Sequence, residues 1–82
     1  MSDVAARIAR AAAIDGHFAR LHVVAPRARL DVIAALTGAR VATITGLDEA
    51  RGAAVEAALA GCATRGELVG LVARAEREAA DA

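Results

Sequence analysis

The chain has 82 residues, a formal net charge of zero from ten arginines and ten acids, no lysine, and a single aromatic, Phe18. That size holds one domain, residues 1–82. Neutrality argues against strong nonspecific nucleic-acid binding, which rests on released counterions, and the lack of flat side chains argues against a base-stacking platform.

Alanine supplies 25 residues, whereas Val, Ile, Leu and Phe together supply 20. The core is therefore shallow, and close alanine-mediated helix packing or a homodimer is expected to complete it. In chain order, Ser2 or Asp3 caps a first helix, with an acid in its first turn to suit the macrodipole. Val4, Ile8, Ala11, Ile14 or Asp15, Phe18 and Leu21 recur at helical spacing. The pattern either runs past Gly16 or breaks there, since a glycine inside a helix costs about 1 kcal/mol relative to Ala. Val23-Val24-Ala25-Pro26 ends the segment, and Pro26 suits the first turn of the next helix.

In that second helix Leu30, Ile33, Ala34 and Thr37 form the inner stripe, and Gly38 falls where a left-handed residue is wanted. Asp48 caps a following helix with Val55 and Leu59 inward and Gly61 as its stop. Thr64-Arg65-Gly66-Glu67 is a capping box, the Thr bonding the third-residue N–H while the Glu reaches back. It opens a last helix whose inner stripe is Leu68, Leu71, Val72 and Ala75, and the closing "EREAADA" is polar and expected to fray. Strand signals are confined to residues 41–45, too few for a sheet. The expected fold is all-α, a small bundle of four to six short helices.

The centre has two readings. In a helix-turn-helix over 30–48, Ala34 is the small residue at the helix contact, Gly38 the turn, and Ile44 and Leu47 seat a second helix. Arg40, Thr43 and Thr45 would then lie at the amino end of a recognition helix, within reach of bases and phosphates. Gly46 and three β-branched residues weaken that helix. In a helix–extended loop–helix, Val41-Ala42-Thr43-Ile44-Thr45 is extended, Val41, Ile44 and Leu47 pin the arm to the core, and the threonines serve as local hydrogen-bonders.

The run "RLHVVAPRARLDVIAALTGARVATITGLDEARGAAVEAAL" (residues 20–59) resembles a small helical segment of actinobacterial phage proteins, including the tails of phage single-strand annealing proteins. Leu21-His22, Arg29-Leu30, Leu36, Gly38, Val41, Thr43, Leu47 and Leu59 match its spacing, while Ala39 and Arg51-Gly52 depart from it. The resemblance implies a phage or prophage accessory protein near DNA recombination, replication or regulation, with no defined activity.

Catalytic chemistry is not expected. His17 and His22 are five apart, the wrong interval for two metal ligands on one helix face, so His22 is read as a packed or capping imidazole. Cys62 is the one cysteine, which excludes an internal disulfide. It is read as a small filler, because no histidine stands by to make it a nucleophile. No Walker lysine accompanies the glycines, and Glu76 and Glu78 face different ways. No cofactor, metal or small-molecule substrate is expected, and the chain is not read as an enzyme. No uncharged run exceeds eight residues, so no membrane span is expected. Arg7 and Arg10 interrupt the apolar centre a signal peptide needs, and the single cysteine suits a reducing cytoplasm.

Charge is unevenly placed: residues 1–47 carry six arginines against three acids, and residues 48–82 four arginines against seven acids. Two functions follow. A basic face of Arg20, Arg27, Arg29 and Arg40, with Thr43 and Thr45, would contact DNA, or a protein of the DNA machinery. Alternatively the last helix, through Leu68, Leu71 and Val72, would pack on a partner or its own copy with no DNA contact.

Overall fold

The computed structural model describes residues 2–81, the side chain of Ser2 excepted. The capping role expected of Ser2 therefore lies outside the described residues. The protein is all-α, with four α-helices among the described residues: α1 (Ser2–Arg20), α2 (Pro26–Thr37), α3 (Glu49–Ala60) and α4 (Arg65–Asp81). One 3-10 turn, Ile44–Gly46, interrupts the connection between α2 and α3.

Gly16 does not break α1, which begins at Ser2 with Asp3 in its first turn. The flanking Ile14 and Phe18 are both fully buried, and that burial outweighs the backbone freedom that Gly16 gives up. The end of α1 is a Schellman motif. His22 takes the left-handed conformation, φ 62°. Its N–H donates to the carbonyl of Ala19 (3.1 Å), and the Val23 N–H donates to that of Phe18 (2.9 Å). Val23 and Phe18 supply the apolar contact that accompanies such a cap. His22 is thus the turn residue itself and is exposed, a correction to the packed or capping imidazole expected of it.

Pro26 opens α2 and Gly38 closes it at φ 75°, its N–H donating to the Ala34 carbonyl at 2.8 Å. Asp48 caps α3 by accepting from the Arg51 N–H at 2.8 Å. Thr64 accepts from the Glu67 N–H at 3.2 Å, but the Glu67 carboxylate reaches back to the N–H of Ala63 (2.8 Å), one residue earlier than in the usual capping box. Helix α4 continues through Asp81, so residues 76–81 of the tail expected to fray are helical, while Ala82 lies outside the described residues.

The core gathers Ile14, Phe18 and Leu21 of α1 and its end, Ile33 of α2, Val55 and Leu59 of α3 and Leu68 of α4, with Val23, Leu47 and Cys62 filling the gaps between elements. Helix α1 packs mainly on α3 and on the 3-10 turn, whereas α2 lies across α4 and α3. Close approach of α1 to α3 depends on buried Gly52. A Cβ there would stand 3.2 Å from Cγ of Arg10, so the arginine's methylenes occupy the space a side chain would fill. Its guanidinium then spreads to Glu49 and Glu56, each at 2.6 Å. The carboxylate of Glu56, with Glu49 behind it, raises the Arg10 pKa above its ordinary value, burial acting the other way.

Candidate interaction surface

The centre of the chain is closer to the helix–extended loop–helix than to the helix-turn-helix, but Ile44 and Thr45, expected to be extended, lie in the 3-10 turn. Residues 39–43 are not helical, Thr43 is extended (φ −143°, ψ 156°), and the next α-helix starts at Glu49. Apart from the 3-10 turn Ile44–Gly46, no helix forms over 39–47, so the recognition helix that a helix-turn-helix over 30–48 needs is not formed. The cause is local: Val41, Thr43, Ile44, Thr45 and Gly46 are all poor α-helix formers, and the chain makes only a 3-10 turn at Ile44–Gly46. Val41 and Ile44 pack partly against the core and Leu47 is buried, which pins the arm. The Thr43 and Thr45 hydroxyls lie 3.1 Å apart and bond to one another on the surface.

The four arginines of the expected basic face have different partners in the structure. Arg20 reaches the last turn of α3, donating to the carbonyls of Cys62 (2.7 Å) and Leu59 (2.8 Å). It therefore adds a charged donor at the negative end of that helix, where the Leu59 carbonyl also accepts from the Cys62 N–H at 3.0 Å. Arg29 donates to the Val23 carbonyl (2.7 Å) and to Asp15 (3.0 Å), with its guanidinium carbon 5.7 Å from the centre of the Phe18 ring. It ties the α1–α2 turn shut. Arg40 pairs with Asp31 at 3.1 Å on an open surface. Arg20 and Arg27 are both exposed without an ion pair among the described residues, and of the four only Arg27 has no side-chain hydrogen bond there either. The amino end of α3, which follows the arm, carries Asp48, paired with Arg51 at 3.1 Å, and Glu49, paired with Arg10 at 2.6 Å.

The residues assigned to an interaction helix face inward. Leu68 is 2% exposed and belongs to the core, while Leu71 and Val72 are partly buried against it. Between α2 and α4 remains a shallow groove floored by Ala28, Val32 and Val72, with Val69 at its edge.

The apolar surface left uncovered is elsewhere. Val4 is 64% and Ile8 58% exposed on α1, Val69 60% on α4, and Val24 74% in the first turn. Val4 and Ile8 lie one turn apart, and the same stripe continues through Ala11, which is buried. Helix α1 thus carries its apolar stripe beyond the point where α3 and the 3-10 turn cover it. Past Ala11 the stripe borders a hollow lined by Asp15, Pro26, Leu30 and Ile44.

Helical spacing puts Val4 and Ile8 on one stripe with Ala11, Phe18 and Leu21. The exposure of Val4 and Ile8 comes from where the rest of the fold covers α1: residues 3–9 are all exposed, and Arg10, held by α3, is the first partly buried one. Arg10 itself went unread as a structural residue, and the spacing Glu49-Gly52-Glu56, one face of a helix with a gap in it, was the available signal. Among the described residues no three His, Cys, Asp or Glu side chains converge as metal ligands. No helix there is long and apolar enough to cross a membrane. Burial pushes the Cys62 thiol pKa up, Glu67 adds to the effect and Arg20 opposes it. Comparison with protein families, curated proteins and solved structures returns no match to this chain.

Proposed function

We propose that this chain is a helical protein-interaction module that works through apolar contact, without reading DNA. The carrying observation is the stripe of Val4 and Ile8, more than half exposed and continuous with the core stripe of α1. Fully burying one such side chain contributes about 1.5–3 kcal/mol, so a helix that holds two of them in water favours a partner that covers them. The arginines support the same reading, since Arg20 and Arg29 are engaged by carbonyls inside the fold and a zero net charge gives little counterion-driven affinity.

The phage resemblance over residues 20–59 supports a setting beside DNA recombination or replication proteins. Its matching positions serve the fold here: Leu21 is core, His22 and Gly38 are left-handed turn residues, and Arg29 ties a turn. A protein of that machinery is then the kind of partner the module would meet.

Fluorescence anisotropy of a labelled duplex and a labelled single strand, at about 50 and 200 mM salt, separates the two functions. Flat titrations into high micromolar protein are expected. Micromolar binding that collapses at the higher salt, with a slope lowered by about one ion in Arg27→Ala or Arg40→Ala, would restore direct DNA contact and overturn the proposal.

A further inference from the structure

Resting on that interaction reading, we infer that the face of Val4 and Ile8 is covered by a second copy of this chain. The two α1 helices lie antiparallel about a two-fold axis, so that Val4 of one protomer meets Ile8 of the other. A helical turn of 100° per residue sets Asp3 and Arg7 on one flank of the stripe and Ala5 and Ala12 on the other. Antiparallel two-fold packing brings each flank against its own copy. Asp3 then faces Arg7 across the interface twice, and the alanine flanks close on each other without obstruction.

A parallel pair would place Arg7 against alanines and align the helix dipoles side by side. Asp3 and Arg7 are both exposed, and neither has an ion pair among the described residues, whereas the next cation along, Arg10, is already held by Glu49 and Glu56. The fold's own cover begins at Arg10. Antiparallel docking therefore leaves the two bodies at opposite ends of a shared segment about 15 Å long, ten residues at the helical rise. Zero net charge removes long-range repulsion between copies. The contact is small, below the roughly 1,200 Å² of a standard interface, which sets the dimer in the weak, reversible class.

Sedimentation equilibrium of the full chain from about 10 µM to 1 mM reads this affinity range directly. A reversible monomer–dimer equilibrium is expected. Ile8→Arg weakens it at least about thirtyfold, because it loses an apolar anchor on both sides of the axis. Arg7→Asp weakens it about tenfold by opposing like charges twice. The double reversal Asp3→Arg with Arg7→Asp returns the affinity to within about threefold of the original, since it restores both pairs. Far-UV circular dichroism at low concentration establishes that each variant is folded, and Val4→Arg repeats the Ile8 test at an independent exposed site.

A single monomeric species at the highest concentration overturns the inference. So does a dimer indifferent to both Ile8→Arg and Val4→Arg, or a double reversal no better than Arg7→Asp alone. A monomer with no affinity for DNA overturns self-docking and leaves the interaction module standing. A monomer that binds duplex in a salt-sensitive way removes both.

Discussion

Two residues with positive φ close the first two helices, and they differ in what they cost. Gly38 adopts φ 75° freely, but His22 holds φ 62° against the steric penalty on a side chain there. His22→Gly is expected to raise stability by about 0.5–1 kcal/mol, while Gly38→Ala lowers it by about 1 kcal/mol, both read by urea unfolding. Arg20 is the other residue with a structural duty the sequence hides. Removing its guanidinium in Arg20→Ala leaves two carbonyls at the end of α3 without their charged donor and is expected to cost about 1–2 kcal/mol. A protein that loses DNA affinity but no stability in this variant would contradict that role.

The thiol of Cys62 gives a pH test with a definite sign. Its pKa is raised by burial first, so the folded state favours the protonated thiol. The associated stability is complete below the ordinary thiol range and is lost as pH rises through the raised value. Native protein is expected to react with a disulfide reagent far more slowly than urea-unfolded protein at mildly alkaline pH. Equal rates would contradict the burial of this group.

At the scale of elements, the helices were legible because their signals are local and redundant. Pro26 and Gly38 bracket α2, Asp48 opens α3, and Thr64 with Glu67 opens α4. Gly16 was ambiguous because a glycine's local cost says nothing of what its neighbours bury. Ile14 and Phe18 decide it, and only the packed structure shows them fully enclosed. The arm at 39–47 was ambiguous for the opposite reason. Its helical spacing and its β-branched composition disagree, and the result is mixed: residues 39–43 are not helical, Ile44–Gly46 make one 3-10 turn, and Leu47 reaches the core just after it. The candidate site was the least legible part. Periodicity gave the face of Val4 and Ile8 correctly but not where α3 would stop covering it, since that depends on a long-range contact between Arg10 and Gly52.

Glycines inside helices give this scale its own test. A Cβ at Gly16 or Gly70 meets nothing within 4 Å, so Gly16→Ala and Gly70→Ala should each stabilise by up to about 1 kcal/mol. Gly52→Ala meets the Arg10 side chain at 3.2 Å and should give a smaller gain or a loss, which Arg10→Ala in the same chain relieves. Thermal unfolding of the four variants compares them. A Gly52→Ala gain as large as that of Gly16→Ala would show that Arg10 yields freely.

For the whole molecule, a thin alanine-rich core and an uncovered stripe describe the same shortage. The chain has few large apolar side chains, and two of them stand on a helix that outruns its support. A partner on α1 would add burial that the fold cannot supply from within. This differs from a phosphate-binding surface in how stability responds to conditions, because apolar contact depends on concentration and hardly on salt, while phosphate contact depends strongly on salt.

The most direct measurement is therefore the unfolding temperature of the full chain at about 5 and 500 µM, each at about 50 and 200 mM salt, with and without an excess of duplex DNA. A temperature that rises with protein concentration, changes little with salt and ignores the duplex is the predicted result. A temperature independent of concentration but raised by duplex at the lower salt would contradict the interaction module and return the function to DNA.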